Sequence, residues 1–325
     1  MEVIKLNWSE KMSSLFIIGN GFDLAHGLPT RYKDFYNYLL KTYPDAEGLD
    51  PSFSIQPSEM SDGSLEFKKC ELVAFLIKII SEVSGEDWND FESSLGRLNF
   101  NNDLSALSTL FKDEEHDSSD FRMSNRNEDV TGNFLLASLK IKDLFSEWIN
   151  TVDISNVKPK DSFAQLINRM GDTFLTFNYT PVLELVYGAY FVYPIHGQQN
   201  NEIIIGHGEE DKEIINSYVG SEYSLSKIHS ALRKNTEEII KLAQKEFFEL
   251  LPNNIEKVYS YGFSFSDVDL PYINELCKRL DTKNITWFLN DFNYEETGEL
   301  FKNKIKECGF KGDFSVFSIK ENSPI

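Results

Sequence analysis

The chain has 325 residues, a net charge of −20 at pH 7 and a hydrophobic fraction of 41%. That length accommodates one large domain or two ordinary ones with a sizeable core. So acidic a surface disfavours general binding to nucleic acid or anionic lipid, although acidity also serves simply to keep a protein dissolved. Cys70, Cys277 and Cys308 are too few and too far apart for a disulfide framework or a structural zinc site, and they fit a reducing cytoplasm. The opening residues lack the apolar core of a signal peptide, and no window approaches ~18 uninterrupted apolar residues, so neither export nor a membrane span is expected.

In chain order, "SLFIIG" (Ser14–Gly19) reads as a short buried strand that stops at glycine. Tyr32, Phe35, Leu39 and Tyr43 then recur at helical spacing, with Thr30 as the expected N-cap. Asp45–Asp62 reads as loop, Ser64–Val83 as a strong helix and "EDWNDFESSLGRLNF" as another. Asp113–Asn133 reads as a polar, charged loop, and "FLLASLKIKDLFSEWIN" resumes a helix.

The second half changes rhythm. "DTFLTFNYT" is strand-like, with a helix behind it that Thr180 caps and Pro181 opens. "FVYPIHG" and "EIIIGHG" read as short strands and residues 221–251 as one long helix. Strand, helix, strand, helix and strand then alternate to the end. That alternation predicts an α/β fold: a Rossmann-like, mostly parallel sheet with helices on both faces. The first strand joins the later ones, which assigns 14–30 and 151–325 to the α/β domain and 31–150 to a helical insertion lobe.

Ligands of open parallel sheets lie beyond the carboxyl ends of the strands. Four such ends carry small or polar residues: Gly19, Asn20, Gly21, Phe22 and Asp23, with His26 further on; Asn178 to Thr180; His196 and Gly197; and Gly262, Ser264 and Asp267, with Asp269 close by. Each has a plain reading as a turn, cap or core residue. The functional reading has glycines admitting a phosphate to the backbone, though the spacing is not GxGxxG and the acid Asp23 would repel an anion. Asn178 would hold a hydroxyl or a water. His196 follows an apolar strand directly, where its ring is expected to be presented as an acid–base group. His207 in "IGHG" has a similar setting, His116 sits in the polar loop and His229 lies on a helix. Trp88 and Glu92, four apart, are either packing and a solvated face or part of a lobe helix closing over the site.

"IIGNGFDLAHGLPTRYKDF" resembles the opening of the AbiH family of bacteriophage abortive infection proteins, as do "FNYTPVLE", "YPIHG", "IIIGHG" and "YSYGFSFSDVDLPYI". More remotely, the order of these blocks resembles the SIR2-like superfamily: a glycine loop, an Asn motif, His-Gly, then a GxSxxD-type motif. Thr180 and Asp23 depart from that pattern, standing where an acid and a serine are usual, and the zinc-binding cysteines of the deacylase branch are missing. The resemblance implies a cytoplasmic anti-phage effector that binds NAD and cleaves its nicotinamide–ribose bond without a metal or added cofactor. It makes Asn178 and His196 the catalytic residues. Gly19, Asn20, Gly21, Phe22, Asp23, His26, Gly197, Gly262, Ser264 and Asp267 would bind the nucleotide. The alternative is a nucleotide-binding sensor without turnover. A phage or host trigger protein and a homo-oligomer are the further partners expected.

Overall fold

The computed structural model describes residues 13–85, 87–112, 120–210, 218–292 and 294–320. Their contacts gather them into two units. The first comprises the described residues of Met1–Pro29, Val152–Glu202 and Asn235–Ile325, and the second those of Thr30–Thr151 and Ile203–Lys234. Among the described residues, no helix is long and apolar enough to cross a membrane.

The first unit is built on a six-stranded parallel sheet. Its strands are β1 (Ser13–Ile18), β4 (Thr173–Thr176), β5 (Phe191–Pro194), β6 (Ile255–Tyr261), β7 (Thr286–Asn290) and β8 (Asp313–Phe317). β2 (Ser58–Glu59) and β3 (Leu65–Glu66) form a separate hairpin in the second unit. The large sheet runs β5-β4-β1-β6-β7-β8, every neighbouring pair parallel. Counted along the chain within this sheet alone, the order is 3-2-1-4-5-6. That is the order of dinucleotide-binding α/β sheets, and it reverses between β1 and β6.

Apolar side chains weld the strands together. Phe16 on β1 stacks on its in-register neighbours Phe174 and Tyr259 at 5.0 and 4.8 Å, and Tyr259 stacks on Phe288 at 4.7 Å. Each such aromatic pair adds ~0.5–1.5 kcal/mol beyond its burial. Phe22, Phe163, Tyr187 and Val182 continue this core beyond the strands.

The helices of this unit are α1 (Asn20–Ala25), α7 (Asp161–Leu166), α8 (Val182–Leu185), α10 (Thr236–Ala243), α11 (Leu270–Arg279) and α12 (Tyr294–Glu307). The expected helix over 221–251 is broken. α9 (Glu222–Ala231) ends, Asn235 caps α10 by accepting from the Glu238 amide at 3.2 Å, and a 3-10 turn follows at Phe248–Leu250. An N-cap inside the run restarts the helix, which periodicity alone does not register.

The second unit is helical: α2 (Tyr32–Thr42), α3 (Lys69–Ser84), α4 (Phe91–Leu95), α5 (Asn101–Lys112), α6 (Asp120–Ile149) and α9. α3 buries Leu72 to Leu76, Ile79 and Ile80. An aromatic cluster of Phe35, Trp88, Phe91, Phe145 and Trp148 fixes α2, α4 and α6 to one another. Three sequence expectations change here. α2 is capped at Arg31, whose amide donates to Asp34, and not at Thr30. Of the polar stretch at 113–133, residues 120–133 belong to α6, and the rest, with His116, lies outside the described residues. Tertiary bonds explain that helix, since Asn127 donates to the Val219 carbonyl at 3.0 Å and Lys142 to that of Ala231 at 2.8 Å. Finally, residues 203–234 group with the helical unit, and "EIIIGHG" forms isolated bridging, as between His207 and Arg233, in place of a sheet strand.

Candidate functional site

The parallel register brings four strand ends level. Ile18 pairs with Thr176 on one side and Tyr261 on the other, and Thr176 pairs with Pro194. The residues that follow, Gly19, Phe177, Ile195 and Gly262, therefore leave the sheet along one edge. The sequence segments that carry the candidate residues are thus neighbours in space.

The glycines have an immediate reason. The Gly19 amide donates to the Tyr261 carbonyl at 3.0 Å and the Gly21 amide to the Gly262 carbonyl at 2.9 Å. A Cβ at Gly19 would lie 2.6 Å from the Gly262 oxygen, and one at Gly21 2.6 Å from the Gly262 Cα. Gly262, at φ +65°, would bring its own Cβ within 2.2 Å of the Phe22 nitrogen. Two backbone turns pack directly on each other at the point where the strand order reverses. This contact accounts for Gly19, Gly21 and Gly262 without a phosphate.

Asp23 is the centre of the first polar group. It is 1% exposed. Its Oδ1 accepts from Asn178 Nδ2 at 2.7 Å and its Oδ2 from Thr180 Oγ1 at 2.7 Å. Thr180 was expected to cap the next helix; its hydroxyl serves Asp23 instead, and Pro181 occupies the cap position of α8. Burial pushes the Asp23 carboxyl up to about 7, against the two hydrogen bonds that favour its charge; the nearby Glu184 carboxylate adds to the rise. Glu184 accepts from Gln198 Nε2 at 2.8 Å through Oε1. Glu184 Oε2 and Asn178 Oδ1 are buried and have no hydrogen-bond partner among the described residues. Asn178 is 4% exposed, so this oxygen is an acceptor held in the interior.

His196 differs from expectation. It is 2% exposed, with its ring edge-on to Phe177 and Tyr272. Its Nε2 lies 3.1 Å from the Tyr272 hydroxyl and 3.9 Å from Asp269 Oδ1, and Asp269 in turn accepts from Ser266 Oγ at 2.8 Å. The apolar residues flanking "IHG" draw the imidazole inward, where aromatic packing holds it. Gly197, at φ +79°, makes the turn that follows.

The other candidates are engaged in packing or hydrogen bonds, or stand at the surface. Phe22 is 1% exposed within the aromatic core. His26 donates from Nδ1 to the Phe22 carbonyl at 2.7 Å and accepts at Nε2 from the Tyr187 hydroxyl at 2.6 Å, while Tyr187 accepts from the Lys160 amide. This relay fixes one neutral tautomer, and burial lowers the ring's basicity. Asn20 and Ser264 are exposed, and Asp267 is exposed and paired with Lys304 at 2.8 Å.

In the helical unit, Trp88 is fully buried and donates to Ser81 Oγ, while Glu92 holds the buried Lys234 with both oxygens at 3.0 Å. Both residues pack and support that unit. His207 is buried too: Nε2 donates to the His229 carbonyl at 2.8 Å and Nδ1 accepts from the Glu209 amide at 3.2 Å.

Sequence reasoning passed over Glu184, Gln198 and Tyr272. Glu184 lies six residues after Asn178 and Gln198 two after His196. Glu184 and Gln198 are polar residues behind strand ends, which is the signal that would have found them, whereas Tyr272 lies within α11 and carries no such signal.

A family model described as bacteriophage abortive infection AbiH matches residues 15–291. No curated protein matches the chain, and no solved structure does.

Proposed function

The chain belongs to the AbiH family, its role lies in phage abortive infection, and on that premise we propose that its α/β unit binds NAD above the strand ends and hydrolyses the nicotinamide–ribose bond. The observation that carries this reading is the buried Oδ1 of Asn178 just past β4, which has no hydrogen-bond partner among the described residues. A buried acceptor left open costs ~1–3 kcal/mol, so it is retained where something donates to it. The 3-2-1-4-5-6 order supports the same reading, because its reversal beside β1 is where such sheets take dinucleotides.

In the proposed reaction, water attacks the ribose C1′ as the bond to the nicotinamide nitrogen breaks, and that bond's electron pair leaves with nicotinamide. Asn178 fixes the ribose, which lowers the barrier by positioning. The water's proton passes to His196, whose Nε2 is hydrogen-bonded to Tyr272 and lies 3.9 Å from Asp269. ADP-ribose and nicotinamide are the products.

A second reading, binding of a nucleotide as a signal without turnover, is favoured by one observation: His196 is 2% exposed. Incubation of the purified chain with NAD separates the two. Free nicotinamide and ADP-ribose, lost in Asn178→Ala and His196→Ala, support hydrolysis. Thermal stabilisation by NAD with no product supports binding alone. Neither product nor stabilisation refutes both.

A further inference from the structure

Asp23 was expected to touch the ligand. Its geometry gives it another task. Both carboxylate oxygens are already engaged, and the side chain is 1% exposed. Both oxygens accept, Oδ1 from Asn178 Nδ2 and Oδ2 from the Thr180 hydroxyl, so the NH2 end of the Asn178 amide faces Asp23. The other end of the amide, Oδ1, is thereby turned away from Asp23, and it is the end that has no partner among the described residues. The neighbouring charge is a second carboxylate, Glu184, so an anionic group is disfavoured here.

We infer that Asp23 is a positioning residue, which holds the Asn178 amide so that a carbonyl oxygen faces the ligand, and that the group received there is a ribose hydroxyl acting as donor. This rests on the nucleotide reading above and narrows it: the site selects a donor, and the ligand's phosphates lie elsewhere. Asn178 without Asp23 presents oxygen and NH2 alike, and discrimination between a hydroxyl and a non-donor disappears.

The test reads the initial binding of two probes to the full chain by stopped flow, before turnover. One is NAD; the other is its analogue with fluorine in place of the 2′-hydroxyl of the nicotinamide ribose, which cannot donate. Wild type is expected to prefer NAD by about tenfold, the worth of one hydrogen bond to a buried acceptor. In Asp23→Asn the preference falls to about twofold or less, since either end of the Asn178 amide then meets a partner. The double variant Asp23→Asn/Asn178→Asp restores an amide–carboxylate pair with an acceptor still facing the ligand, and regains the preference. A merely structural role for Asp23 shifts both probes equally and gives no such regain. Equal preference in wild type and Asp23→Asn overturns the positioning role while leaving NAD binding intact. Failure of wild type to bind NAD overturns this inference together with the nucleotide reading.

Discussion

Replacing Asp23 by Asn removes a charge from the interior and keeps the volume. The carboxyl sits at about 7 in the fold against 3.8 as its reference, mainly because burial disfavours the charged form. The folded protein therefore keeps a proton that the unfolded chain has already lost. This group's contribution to stability is full below pH 3.8 and is lost as the pH rises toward about 7. Each pH unit is worth ~1.4 kcal/mol, so the whole effect approaches about 4 kcal/mol, and about 3 kcal/mol of it falls between pH 5 and pH 8. Asparagine does not titrate and can still accept from Asn178 and pair with the Thr180 hydroxyl. Urea unfolding of both proteins at pH 5, 6, 7 and 8, followed by tryptophan fluorescence, isolates the contribution of Asp23, because all other titrations are shared. The stability of Asp23→Asn relative to wild type should rise by about 3 kcal/mol over that range. A difference that stays flat with pH refutes a desolvated Asp23.

Gly262→Ala forces a Cβ against the Phe22 nitrogen at φ +65°; a loss of about 3 kcal/mol or more is expected in chemical denaturation, combining overpacking with left-handed strain. His26→Phe keeps the ring contacts with Phe22 and Tyr187 but breaks both hydrogen bonds; calorimetry should register a loss of about 1–2 kcal/mol, with NAD affinity unchanged. Lys234→Ala leaves Glu92 without its bidentate partner and should cost about 3–5 kcal/mol in urea unfolding, most of it recovered in Lys234→Met/Glu92→Leu.

The sheet was legible because its strands are compact apolar runs that stop at glycine, proline or asparagine, as "SLFIIG" and "NITWFLN" do. The edge on which the site residues gather followed from the rule for parallel sheets. What lay beyond reach was which side chains bond to which. Thr180 reads equally well as a cap or as a donor to a residue 157 positions away, and only the tertiary structure decides. The inward turn of His196 escaped for the same reason: a ring after an apolar strand is presented or buried according to neighbours such as Tyr272, which lies 76 positions on. The glycines of "GNG" were legible as sites of close approach, but what approaches is the backbone of Gly262. The helix from Asp120 was hidden by polar composition, which tertiary bonds from Asn127 and Lys142 overrule.

Calorimetric titration of NAD into the wild-type chain and into Asn178→Ala probes the strand-edge site at the Asn178 carbonyl, which has no partner among the described residues. Measurable binding to wild type is expected, with an affinity at least about tenfold weaker in Asn178→Ala and matching circular dichroism spectra to show that both proteins are folded. Equal affinities for the two proteins, or no heat with wild type, would contradict the nucleotide reading.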